Sequence, residues 1–167
     1  YNYGEAWKRL DDHETAYEYL RRAYVIERAY GQTLQAVSSA GSLAVIAAKR
    51  DDATEALRLA DEGVDLAIGT GIDHQIVSAL LFKAEVLSAV GDSTAAERVL
   101  VDALERTEGK SLDDLRFHAL ADLAEHARRN GNIERARAAL QQAHALATDD
   151  SNDYLHQRLA LTEARLC

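Results

Sequence analysis

The chain has 167 residues, of which 47% are hydrophobic and 28% charged, with a formal net charge of −9. Such a mixture suits one folded domain or one short repeat array and excludes a disordered chain. The acidic balance speaks against direct nucleic-acid binding, because that affinity comes largely from Lys and Arg neutralising phosphates.

Proline is absent, so helix is not forbidden anywhere. Apolar residues recur at spacings of three and four, which predicts helices in chain order. A short opening helix spans about Tyr3–Leu10 and a second His13–Ala29. Pairs follow at about Leu34–Lys49 with Ala53–Ile68, Asp73–Val90 with Ser93–Glu108, and Leu112–Asn130 with Ile133–Ala147. A ninth helix, about Asn152–Leu166, has no partner and reads as a cap or a connector. Asp12, Asp52, Asp92 and Asn132 precede the second helix of each pair, where a short side chain can accept an orphaned N–H. Gly91 and Gly131 stand before two of these caps, where a left-handed residue ends a helix cheaply. Gly31, Gly69, Gly71 and Gly109 separate the pairs.

The punctuation repeats every forty residues. Ala16, Ala56, Ala96 and Ala136 stand in register. So do Gly4, Ala44, Ala84, Ala124 and Ala164, and Ala23, Gly63, Ala103 and Ala143. Small residues at fixed helical positions mark close helix contacts, and a fixed repeat of helix pairs is the mark of a solenoid. The expected boundaries are 1–31, 32–71, 72–111 and 112–150, with a last helix at 151–167.

These columns resemble the tetratricopeptide repeat. Leu123–Ala124, Ala127, Gly131, Ala136, Leu140 and Ala143 carry the likeness best. Tyr3–Gly4, Trp7, Asp11, Ala16, Leu20 and Ala23 follow closely. The 43–63 unit keeps the small positions but loses bulk at Ala60, and the 83–103 unit departs only at Lys83. The usual period is about thirty-four residues, with a proline near the repeat's end. The longer period here is similar to repeats of bacterial signalling and transcriptional regulators, and HEAT or armadillo repeats are the structural alternative. The resemblance implies an all-α, right-handed superhelical solenoid of antiparallel helix-turn-helix repeats, about four repeats plus a C-terminal helix.

The resemblance also implies a non-enzymatic scaffold that binds a protein or peptide on a concave side lined by the first helix of each pair. The corresponding residues are Glu5, Lys8, Ser38, Val45, Lys49, Ser78, Leu81, Glu85 and Ser88, then His118, Glu125, Arg128 and Arg158. Basic residues gather toward the C-terminal end, so an acidic peptide group suits that part. Where relatives grip chaperone tails with Lys and Asn, this chain has Tyr1, Gly41 and Leu81, which excludes that ligand. The alternative reading is a sensory and dimerising segment of a bacterial signalling protein, governing an attached DNA-binding or diguanylate cyclase domain. Homodimerisation through a chain end belongs to that reading, with Trp7 and Tyr3 as the aromatic candidates, whereas the stripe of tyrosines at 17, 19, 24 and 30 reads as core or inter-repeat contact.

No cofactor and no metal are expected. The six histidines lack the His-x-x-x-His or Glu-x-x-His spacing that aims two ligands at one ion. The acidic pairs at 11–12, 51–52, 113–114 and 149–150 fall at helix starts and turns, where capping explains them. No catalytic set emerges. The longest uncharged stretch, 31–48, is too polar for a membrane span. The single cysteine, Cys167, fits a reducing, cytoplasmic setting. Methionine is absent even at position 1, so a fragment of a longer protein is expected.

Overall fold

Among the described residues, each turn inside a helix pair closes by the same two backbone hydrogen bonds. Asp52, Asp92 and Asn132 donate their N–H to the carbonyls of Ala47, Leu87 and Ala127 at 3.0, 2.9 and 2.8 Å. The residues before them, Asp51, Gly91 and Gly131, donate to Ala48, Ser88 and Arg128. This is the Schellman pairing, and it requires the left-handed backbone found at all three: φ 60°, 91° and 75°. The capping side chains then do their work in register. Asp52 accepts from Glu55 N–H at 3.1 Å, Asp92 from Ala95 at 2.9 Å and Asn132 from Arg135 at 3.1 Å.

Asp51 is the costly member of that series, since a side chain in the left-handed region is strained where glycine is not. Asp51→Gly is expected to raise stability by about 0.5–1 kcal/mol, the relieved strain being partly offset by the freer unfolded chain. Urea denaturation followed by circular dichroism checks it; an unchanged or lowered midpoint would show that Asp51 carries no strain.

A computed structural model of the chain describes residues 13–146 together with residues 160, 163 and 164. Seven helices run through the described residues and no strand occurs among them: α1 (His13–Ala29), α2 (Thr33–Lys49), α3 (Ala53–Thr70), α4 (Asp73–Ala89), α5 (Ser93–Thr107), α6 (Asp113–Arg129) and α7 (Ile133–Leu146). The expected opening helix at 3–10 and most of the ninth helix lie outside the described residues. The chain divides into two compact units, the first ending at Ala96 and the second beginning at Glu97.

In the first unit α1 packs on α2, α2 on α3, and α4 on both α2 and α3. Ala16, Ala44, Ala56 and Ala84 are at most 2% exposed, so the small-residue columns do mark the places of close contact. Gly63 is buried as well, and a Cβ there would stand 3.4 Å from that of Ala40. Leu20, Leu43 and Ile46 fill the remaining core, each contributing roughly 1.5–3 kcal/mol through burial. Surrounded by three helices, α2 is buried along an unbroken run from Gly41 to Ala48, the pattern of a helix apolar on all sides.

In the second unit α6 packs on α7. Ala103, Ala124, Ala136 and Ala143 are fully buried beside Leu100, Leu120, Leu140 and Phe117. Two column members depart from the rule: Ala23 is half-buried and Ala164 exposed.

Candidate functional site

The first-helix residues singled out in the sequence fall on α2, α4 and α6. On α4, Ser78, Leu81, Glu85 and Ser88 are spaced by three, four and three residues and so share one helix face. None of them is buried, whereas Val77 and Val86 at the margins of that face are. Two further features fix its surroundings. Lys83, the residue that breaks the repeat pattern, sends its ammonium to the Asp61 carboxylate of α3 at 2.7 Å. The ring of Phe82 takes the space beside Gly41 on α2, so close that a Cβ at Gly41 would stand 2.5 Å from the ring's Cγ.

On α2 the expectation holds unevenly. Ser38 is half-buried and Lys49 exposed. Val45 is only 2% exposed and belongs to the core cluster, so it cannot line an open surface. The cause is the crowding around α2 described above. Phe82 was not singled out in the sequence, where a lone aromatic at a variable position carries no signal; the unusual mid-helix glycine at 41 is the clue to it.

On α6, His118, Glu125 and Arg128 occupy the same register positions as Ser78, Glu85 and Ser88, and all three are half-buried. Position 121, in register with Leu81, is an alanine only 2% exposed. Arg128 grips Glu125 with both arms of its guanidinium: Nε donates to Oε2 and Nη2 to Oε1, each at 2.9 Å. Arg129 Nε donates to Oε1 at 2.9 Å. The Arg128 bonds hold the Glu125 carboxyl at about 2; partial burial opposes this and the Arg129 bond reinforces it. The acid and two bases leave one net positive charge on this face, so an acidic group meets a shared cation. Burial lowers the neighbouring His126, keeping that imidazole neutral at pH 7.

The lowered Glu125 carboxyl carries a linkage consequence. A group with a folded pKa below its unfolded value adds stability above the unfolded value and loses it as pH falls toward the folded one. Glu125 therefore stabilises the second unit above roughly pH 4.5, and that contribution fades between about pH 4.5 and 2. Glu125→Gln is expected to lower the urea midpoint at pH 7 and to match wild type near pH 2. An equal gap at both pH values would sink this account.

Glu5, Lys8 and Arg158 lie outside the described residues, as do Tyr3 and Trp7. Of the clustered tyrosines, Tyr24 is buried and Tyr17 half-buried, while Tyr19 and Tyr30 are exposed. The Tyr17 hydroxyl donates to Glu55 Oε1 at 3.2 Å and the Arg50 guanidinium lies 4.5 Å above its ring centroid. Among the described residues, no group of three or more His, Cys, Asp or Glu side chains could hold a metal ion, and no helix is long and apolar enough to cross a membrane.

Comparison with known proteins agrees with this architecture. The tetratricopeptide repeat profile matches residues 77–101 and 118–142. The nearly identical TPR-like repeats of a protein assigned as a kinesin light chain from Podosopora anserina superpose with a TM-score of 0.73. That match covers 98% of this chain and 83% of the other at 17% sequence identity, a likeness of fold. No curated protein shows significant sequence similarity to the chain. The two matched segments carry the tetratricopeptide-repeat pattern, and the buried small-residue columns and the shared fold agree with an all-α array of stacked helix pairs.

Proposed function

We propose that the chain is a non-enzymatic interaction scaffold that holds a peptide or protein segment on the accessible face of its first helices. Tetratricopeptide repeats generally mediate contacts between proteins. The observation that carries the reading is the α4 face. Ser78, Leu81, Glu85 and Ser88 keep accessible surface in one row, with buried Val77 on one side of it and half-buried Phe82 on the other. Hydroxyls and a carboxylate can bond a peptide backbone, and Leu81 gives an apolar contact among them. In the second unit, taken by itself, the Glu125–Arg128–Arg129 group of α6 offers a cation.

Site-specific photo-crosslinking tests this. A benzophenone side chain at Leu81 or Glu85 is expected to capture a polypeptide from extract of the source cells. The same group at the exposed second-helix positions Asp65 and Glu105 is expected to capture none. Equal capture at all four positions would refute the assignment of this face.

A further inference from the structure

The turn between α6 and α7 differs from the turns at 51 and 91 in one residue that carries chemistry. Position 130 is an asparagine followed directly by Gly131, where the equivalent positions hold Arg50 and Val90. No other Asn-Gly pair occurs in the 167 residues. Asn130, Gly131 and Asn132 are all exposed. A Cβ at Gly131 would meet nothing within 4 Å, so no neighbour crowds the glycine on that side. The side-chain carbonyl of an asparagine lies within reach of the next residue's amide nitrogen, and closure gives a five-membered ring. A glycine puts no Cβ in the way of that closure.

We propose that Asn130 is a site of spontaneous deamidation, gated by the hydrogen bonds of its turn, and that the reaction loosens the joint between α6 and α7. The Gly131 nitrogen attacks Cγ of Asn130. Its proton leaves with the side-chain NH2 as ammonia, and a succinimide remains. Water then adds to either ring carbonyl and opens the ring to aspartate or isoaspartate.

The closed turn holds this chemistry in check. Asn130 keeps near-helical backbone angles, φ −82° and ψ 3°. Asn130 donates its N–H to His126 O and Gly131 to Arg128 O, both at 3.0 Å, and Asn132 donates to Ala127 O at 2.8 Å. The Gly131 nitrogen must leave its bond and turn toward Cγ before it can attack. Reaction therefore runs through the opened helix end.

Both products weaken the joint. Aspartate sets a carboxylate at the C-terminus of α6, the negative end of its dipole. Isoaspartate carries the main chain through the side-chain carbon. The added methylene draws the Gly131 and Asn132 N–H groups off the Arg128 and Ala127 carbonyls, and the Asn132 cap of α7 shifts with them. The site needs no partner and does not depend on the surface assigned above.

The central test uses the wild-type chain. It is held in mildly alkaline buffer beside a free peptide of residues 126–135, and mass spectrometry follows the tryptic fragment 130–135. Enzymatic methyl transfer counts the isoaspartate. Conversion is expected at Asn130 before any other asparagine, and about ten-fold more slowly than in the peptide. Asn132→Ala deletes the cap bond but keeps the reacting pair, and is expected to speed conversion about three-fold. Asn130→Asp is expected to lower the urea midpoint. No conversion in about thirty peptide half-lives, faster conversion at another asparagine, or a folded chain as fast as the peptide would overturn the proposal. So would an unchanged rate in Asn132→Ala or an unchanged midpoint in Asn130→Asp.

Discussion

Phe117→Ala is expected to lower the stability of the second unit by about 3–5 kcal/mol, the usual cost of emptying an aromatic site in a packed core. Among the described residues Phe117 is the largest fully buried side chain, at 1% exposure, on the helix that packs along α7. Its register counterparts in the first unit, Val37 and Val77, are equally buried but much smaller. The second unit therefore concentrates in one ring what the first spreads over several aliphatic groups. A cavity of that size collapses only in part, because a close-packed interior relaxes little around a missing ring. Phe117→Leu, which keeps most of the volume, is expected to cost about 1 kcal/mol. Urea denaturation gives the magnitude, and amide exchange locates it: α6 and α7 should lose protection first, since repeat stability is built from neighbouring contacts. A loss below about 1 kcal/mol for the alanine variant would contradict the packing described.

Gly41→Leu is expected to cost about 3 kcal/mol, at the upper end for an overpacked core. The ring of Phe82 occupies the space that any side chain at 41 would need, and its Cγ, at the stiff base of the ring, is among the nearest atoms. The ring cannot yield by turning its far edge; its χ1 must change. Gly41→Ala meets the same obstacle, but gains about 1 kcal/mol of helix propensity, so its net cost should be about 1 kcal/mol. Phe82→Ala removes the obstacle. In that background Gly41→Leu should become nearly neutral, giving a coupling of about 2 kcal/mol between the two sites. Additive single effects would show that the ring and the glycine are not in contact.

The helices were legible because their ends are written in short-range chemistry. Asp52, Asp92 and Asn132 cap α3, α5 and α7, and each of these helices starts where the capping residue predicts. First helices are less sharply marked. Gln32 and Leu112, at the starts of α2 and α6, make no side-chain cap bond, and there the expected start misses by one residue. The site was less legible for a different reason. Which face of a first helix stays accessible depends on how many neighbours crowd it, a fact that no local pattern carries. Val45 and Glu85 stand at equivalent register positions, yet the first is enclosed and the second exposed. Tyr19 posed the reverse difficulty: an aromatic in a stripe at helical spacing reads as core, yet it is 45% exposed where Leu59 and Ala139, in register with it, are buried.

The three turns centred on residues 51, 91 and 131 share their hydrogen bonds, their backbone handedness and their capping oxygen. They are therefore interchangeable joints. Splicing at any one of them, to delete or duplicate a block of forty residues, joins like to like and creates no unfamiliar corner. A lineage built on such joints can lengthen or shorten by recombination without first inventing a new loop.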